Sequence, residues 1–454
     1  MKVLLLDAGP RRRRFSPLRA RLQSIFGSYL GLIWPGYAER QKRRRERLLR
    51  QPIQSRCYAW AGDPEAFVDD LDNPYVATAA PFHWFRSRQV GGRLAVGSHG
   101  RRFMRFTDHE LEQWPVSAHE LAPHYASVER LIGWAPRECN VVERWVKKLV
   151  ERKWPQHGLV PISKVAAPDF VALALATGHV TLQCETVVSH LELDADSNEV
   201  SAVGVIDAAT HRSREVFGRR VFLCASTIES TRVLLNSRSA RYPDGIGNAS
   251  GVLGRHFMEQ VHVFANVRVP ASKRHAWLPP QRVELFVPAH DEPGFGVQVM
   301  SGRLLGPRDM KIGLASFGEM LPRPENQVRL SAIMKDRWGV PAVEIDYRLS
   351  DSEQALVSEQ QSFLSRLQDG DIEVQLEGTA DKPLGYAIHE VGTARMGDDP
   401  KTSFLDPYNR SWEVPNLFVT DGSAFVTSGY QNPTLTMLAL TDRACTKVLS
   451  SSRA

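Results

Sequence analysis

RVFLCASTIESTRVLLNS, residues 220–237, contains a complete strand-to-helix unit. Val221 to Cys224 are consecutively apolar, as in a strand of a parallel sheet covered on both faces. Small residues follow, and Val233, Leu234 and Leu235 then return with helical spacing. Val3 to Leu6, ended by Asp7, Ala8 and Gly9, repeats the apolar strand, and PNLFVTDGSAF at 415–425 gives a third that ends at Asp421–Gly422. Three such strands, each leading to small or acidic residues, predict a doubly wound α/β sheet whose ligand lies at the strands' carboxyl ends.

Between these units the period changes. Val263, Ala265, Val267 and Val269 alternate along one face, and Val297 with Val299 continues the pattern, so a second domain built on an antiparallel sheet is expected. Ser117 and Glu120 form a capping box ahead of Leu121, Tyr125, Val128 and Ile132, an amphipathic helix. Neither an internal repeat nor a long linker is present, so the domains are expected to interleave. Segments 1–105, 161–255 and 385–454 are assigned to the doubly wound domain, and 106–160 and 256–384 to the substrate domain.

Composition excludes several classes. The 454 residues are 43% hydrophobic and 24% charged, with 32 Gly and 28 Pro, which rules out disorder, collagen and coiled coil as whole-chain answers. No run approaches the ~18 apolar residues of a membrane span, and MKVLLLDAGPRRRR does not read as a signal peptide. The net charge of +6 is concentrated in Arg11 to Arg14 and QKRRRERLLR at 41–50. These runs read as solvated faces, since Glu46 interrupts the second and no nucleic-acid motif accompanies either. The 5 Cys are odd in number, scattered and never in a CxxC pair, so no disulfide framework and no metal site are expected. A reducing, cytoplasmic setting fits them.

The most specific segment lies near the end of the chain: HEVGTARMG at 389–397, NLFVTDGSAF at 416–425 and QNPTLTMLALTDRA at 431–444. Together these resemble the C-terminal signature of the glucose-methanol-choline (GMC) family of flavin oxidoreductases, especially its sugar and polyol dehydrogenase-like members. The resemblance extends through RQVGG at 88–92, FLCASTIESTRVLLNS, GVLGRHFME at 251–259, and ENQVRLS with KDRWGVP at 325–341. It implies that the doubly wound domain binds FAD and that the enzyme oxidises a CH–OH group by hydride transfer to flavin. Electrons would then pass to a quinone, a cytochrome or oxygen.

By that resemblance His389 and Asn432, 43 residues apart, meet in front of the flavin. A neutral imidazole suits the hydroxyl proton, and a carboxamide can orient the hydroxyl and stabilise developing alkoxide. Asn432 also reads as an ordinary N-cap, with Pro433 opening the helix behind it. That helix would direct its positive end at the flavin pyrimidine, with Thr434 as a contact. Asp7 suits a ribose hydroxyl, or else caps a helix. Gly91 and Gly92 would admit the pyrophosphate or the ring, or simply form a turn. Val187 or Val188 would pair its backbone with adenine, and core packing explains either equally well. Asp421 and Gly422 match a second flavin-contacting motif.

Three features depart from the family pattern. A GxGxxG turn belongs about 20 residues before the ribose-binding acid, which places it upstream of Met1 and makes the doubly wound domain incomplete at its N-terminus. Either the start lies further upstream or the chain holds flavin weakly. Val96 stands where some members carry a His that tethers flavin, and His99 is out of register, so dissociable FAD is expected. Ser226 replaces the usual Gly after the apolar strand. Two rival readings remain open: a flavin-fold lyase acting on a hydroxynitrile-like substrate, and a non-catalytic relative of the enzyme.

Overall fold

The computed structural model describes residues 2–11, 37–96, 101–165, 168–270, 281–289, 294–301, 309–377 and 383–451. Arg12 to Arg14 and His99 lie outside the described residues. Strand Val3–Leu6 pairs in parallel with Val180–Gln183, and Val221–Leu223 pairs in parallel with Leu417–Val419. The three apolar strands read from the sequence are therefore present, in two parallel pairs. Stacking of Phe222 on Phe418, with ring centroids 4.7 Å apart, ties the second pair.

One expectation is corrected. The run Val3 to Leu6 is not covered on both faces: Val3 is 45% and Leu4 42% exposed. Among the described residues this strand is paired along one edge only, as is Val221–Leu223. Leu417–Val419, in the other two-stranded unit, is buried throughout, so burial follows from what packs over a strand's faces and not from its apolarity alone.

The alternating segments build a six-stranded sheet. Val261–Val269 lies between Glu373–Glu377 and Met310–Gly318, followed by Phe295–Ser301, Val283–Val287 and Val160–Pro161. One face of this sheet presents Val263, Ala265, Val267, Val297, Val299, Ile312 and Leu314. They are buried against helices Val141–Glu151 and Asp351–Ser365. Each such side chain contributes about 1.5–3 kcal/mol of burial. Because successive strand residues alternate, the opposite face carries Phe264, Met300, Ala315 and Phe317, which pack with Ala387, two residues before His389.

A second core links the parallel strands to helices Ala118–Ile132, Thr227–Asn236 and Thr434–Ser451. Helix Ala118–Ile132 has the Ser117–Glu120 capping box and ends at Gly133 in the left-handed conformation. All five cysteines are free. Among the described residues, no helix is long and apolar enough to cross a membrane, and no group of His, Cys, Asp and Glu is arranged to hold a metal ion.

Candidate active site

His389 enters the site through an unusual backbone turn. Ile388, the residue before it, has φ +61°, rare for a β-branched side chain. Such strain costs on the order of 1–3 kcal/mol and persists only where the surroundings hold it. Here the Ile388 amide donates to Glu259 Oε1 at 2.7 Å, and its carbonyl accepts from Arg93 Nη1 at 3.3 Å. Gly385 also donates to Glu259, at 3.0 Å. Three residues past His389, Gly392 has φ +83°, and a Cβ there would lie 2.1 Å from the His256 carbonyl oxygen.

Asn432 arrives from the other side, at the end of the loop before the C-terminal helix. Its Nδ2 lies 3.0 Å from His389 Nε2, and its Oδ1 accepts from Gln298 Nε2 at 2.7 Å. Both ends of the carboxamide are engaged across the site, so the side chain is not capping the helix. Pro433 instead supplies the carbonyl that accepts from Met437 N at 3.0 Å. The loop is fixed by Glu110, whose Oε1 accepts from the amides of Tyr430 at 2.8 Å and Gln431 at 3.1 Å. On its far side His389 Nδ1 is 2.6 Å from Gln260 Oε1, and Phe317 packs at 5.3 Å from the ring.

Electrostatics keep this imidazole neutral. Burial, followed by the nearby charges of Arg93 and His262, lowers the His389 pKa to about 3. Arg93 is paired with the buried Glu390 at 2.7 Å and also donates to Ser226 Oγ at 3.1 Å. Two buried carboxyls around the pair are shifted upward. Burial and then the charge of Glu390 raise Glu259 to about 8, and burial raises Glu110 to about 7.

The residues expected at a dinucleotide have their own local contacts. Asp7 Oδ1 accepts from Gly9 N at 2.8 Å; burial raises its pKa, and the nearby amides of Gly9 and Gly91 oppose that rise. Gly91 and Gly92 form a left-handed turn with φ +87° and +56°. Val187 packs with Ile206, Val340, Ala8 and Trp338, while Val188 lies against the main core. The Thr186 amide next to them donates to the Asp7 carbonyl at 3.0 Å.

Asp421 is engaged within the protein. Its carboxylate accepts from Ser230 Oγ, from Ser423 N at 3.0 Å and from Ser423 Oγ at 2.6 Å. Gly422 permits close packing, since a Cβ would lie 2.6 Å from Thr227 Oγ1. Ser226 has φ +77° and ψ 152°, a conformation normally left to glycine, so the serine preserves the glycine backbone. Val96 is buried in an apolar cluster with Cys57, Trp60 and Phe85.

A flavin dinucleotide can be tested against this set. Gln89 Nε2 beside the Gly91–Gly92 turn, Glu390 Oε1 beside His389 and Gln431 Oε1 beside Asn432 are buried without a protein partner. Unpartnered buried polar atoms require an explanation, and the polar edge of a flavin ring supplies donors and acceptors for such groups. With Asp7 and the paired strand ends, the residues fit the ring and ribose portions of the group. No GxGxxG turn occurs among the described residues.

Sequence reasoning missed Gln260, Gln298, Arg93, Glu110 and Glu259. Gln260 directly follows the GVLGRHFME segment, and Gln298 interrupts the Val297–Val299 alternation. Those positions were the available signals, yet neither indicates a contact with a residue more than a hundred positions away.

An α/β chain whose antiparallel sheet and parallel strands converge on an imidazole–carboxamide pair belongs to the class of flavoprotein oxidoreductases. Residues 322–441 match the sequence profile described as GMC oxidoreductase. The chain is 30% identical to paromamine 6'-oxidase of Streptomyces fradiae, over 83% of this chain and 82% of that protein. It is 25% identical to 2-methyl-1,2-propanediol dehydrogenase of Mycolicibacterium austroafricanum, over 85% and 84% of the two chains. The fold is similar to the crystal structure of pyridoxine 4-oxidase from Mesorbium loti, with TM-score 0.63 and 17% identity over 98% of this chain and 94% of that one. The chain belongs to the GMC oxidoreductase family.

Proposed function

We propose that the protein oxidises the CH–OH group of a sugar, polyol or similar alcohol, with FAD as the oxidant. The observation that carries this reading is the 3.0 Å approach of Asn432 Nδ2 to His389 Nε2. When bound, FAD supplies the hydride acceptor. His389 Nε2 takes the hydroxyl proton, and Asn432 Nδ2 donates to the oxygen as negative charge develops on it. The alcohol thereby loses one proton and one hydride and leaves as an aldehyde or ketone. The aromatic face of Phe264 and Phe317 limits water beside the imidazole. Asp7 would hold a ribose hydroxyl, Val187 or Val188 the adenine, and Gly91, Gly92, Asp421, Gly422, Pro433 and Thr434 the remainder of the group. Electrons leave to a quinone, a cytochrome or oxygen.

The names of the two relatives, one an oxidase of paromamine and the other a dehydrogenase of 2-methyl-1,2-propanediol, support an alcohol substrate. The test is anaerobic mixing of the FAD-reconstituted protein with primary alcohols, polyols and aldoses while the visible flavin absorbance is followed. Bleaching by one of these classes is expected. Substrate cleavage without bleaching would instead establish the lyase reading. Failure to retain FAD, with no turnover, would leave the non-catalytic one.

A further inference from the structure

We propose that Gln260 is a positioning residue that holds His389 in its Nδ1–H tautomer and ties that imidazole to the loop carrying Asn432. The orientation of the Gln260 amide follows from its surroundings. One of its terminal atoms lies 3.3, 3.0 and 2.8 Å from the carbonyl oxygens of Ser428, Gly429 and Gln431. Carbonyls only accept, so that atom is the NH2 group, and the atom facing His389 is the oxygen.

An amide oxygen also only accepts, so His389 Nδ1, 2.6 Å away, must carry the hydrogen. Nε2 then holds the lone pair. The far side of the ring has the same polarity, since Gln298 donates to Asn432 Oδ1 and Asn432 donates to His389 Nε2. Gln260 is 1% exposed, so no water is available to replace it. Gln260 from one side and Asn432 from the other therefore set which nitrogen is basic, and Gln260 also holds the backbone of residues 428–431, immediately before the second reactive group.

This inference rests on the proposed role of His389, but its test reads the ring itself and is independent of turnover. Histidine-selective 15N labelling, with the His389 signals assigned by their loss in His389→Asn, distinguishes the tautomers through long-range couplings to the ring protons. The wild-type protein is expected to show Nδ1–H at neutral pH. In an Asn432→Ala background, which removes the donor on Nε2, Gln260→Leu should shift the ring toward Nε2–H, whereas Gln260→Glu, which keeps an acceptor in place, should retain Nδ1–H. With its second oxygen protonated against the three carbonyls, the Glu side chain keeps its C=O toward Nδ1. Nε2–H in the wild type overturns the proposal. So does an unchanged tautomer in a folded Gln260→Leu/Asn432→Ala double variant, or Nε2–H in Gln260→Glu; the wild-type and Glu results decide it should the Leu variant not fold.

Discussion

Asn432 Nδ2 sits 3.0 Å from His389 Nε2 across 43 residues of chain, with the carboxamide held from behind by Gln298. The two groups reach one point from different sides: His389 from a strained segment held by Glu259, Asn432 from a loop held by Glu110. An alcohol hydroxyl that displaces this hydrogen bond meets one acceptor and one donor.

Removing either partner should therefore slow the chemical step. For His389→Ala, flavin reduction by substrate is expected to fall roughly 10²–10⁴-fold, the usual range for a positioned base. Asn432→Ala should cost about 10²–10³-fold, as for loss of one oxyanion donor. The double variant should lose less than the product of the two, since the residues act as a unit. Stopped-flow single-turnover kinetics measure all three, and full-rate reduction in His389→Ala would remove it from the mechanism.

The base should remain active at low pH. With its pKa lowered from 6.5 to about 3 by burial and by the charges of Arg93 and His262, His389 stays neutral through the weakly acid range. The rate of flavin reduction is expected to be flat from about pH 8 to about pH 5, with no acid limb at the ordinary imidazole value. A single-proton loss of rate centred on 6.5 would contradict this.

Stability should decline on the alkaline side of 6.5. Glu110 and Glu259, raised from 4.5 to about 7 and about 8, keep protons in the folded state that the unfolded chain has released. A raised pKa gives a contribution that is full below the unfolded value and is lost as pH rises through the folded one. Below 6.5 the lowered His256 and His389 act in the opposite sense. Above it only the carboxyls remain, each contributing a slope of up to about −1.4 kcal/mol per pH unit within its window. Urea midpoints between pH 6.5 and 8 check the sign, and Glu259→Gln should flatten the upper part.

Arg93→Ala should destabilise the fold as well as the site. It leaves Glu390, whose side chain is 1% exposed, buried without its cation, while Arg93 itself is 35% exposed. Breaking a fully buried pair costs about 3–5 kcal/mol, and partial solvation of Arg93 puts the expectation at the lower end. Glu390→Gln added to Arg93→Ala should recover part of the loss in denaturant titrations. Additive losses would show that the pair carries no coupling.

Much of the fold was legible in the sequence because it depends on local periodicity. The alternation of Val263, Ala265, Val267 and Val269 marked the antiparallel sheet, and Ser117 with Glu120 marked a helix start. Val3 and Leu4 escaped that logic: apolarity states a preference for burial, but whether a strand's faces are covered is decided by what the tertiary fold packs over them. Ser230 and Ser423 show the same limit around a motif, since nothing in the Asp421–Gly422 pair indicates that these two serines donate to its carboxylate.

The sequence by itself determined the family, the strand and helix types, and the identities of His389 and Asn432. Residue type and spacing are properties of the chain, and they carried that much. Only the tertiary structure brought Gln260, Gln298 and Glu110 to the pair and set the polarity of the hydrogen-bond chain through it. Those contacts join residues on separate strands and loops, and their strength comes from exclusion of water. Burial of that kind exists only once the sheet, the loop and the strained turn at Ile388 have closed on one another.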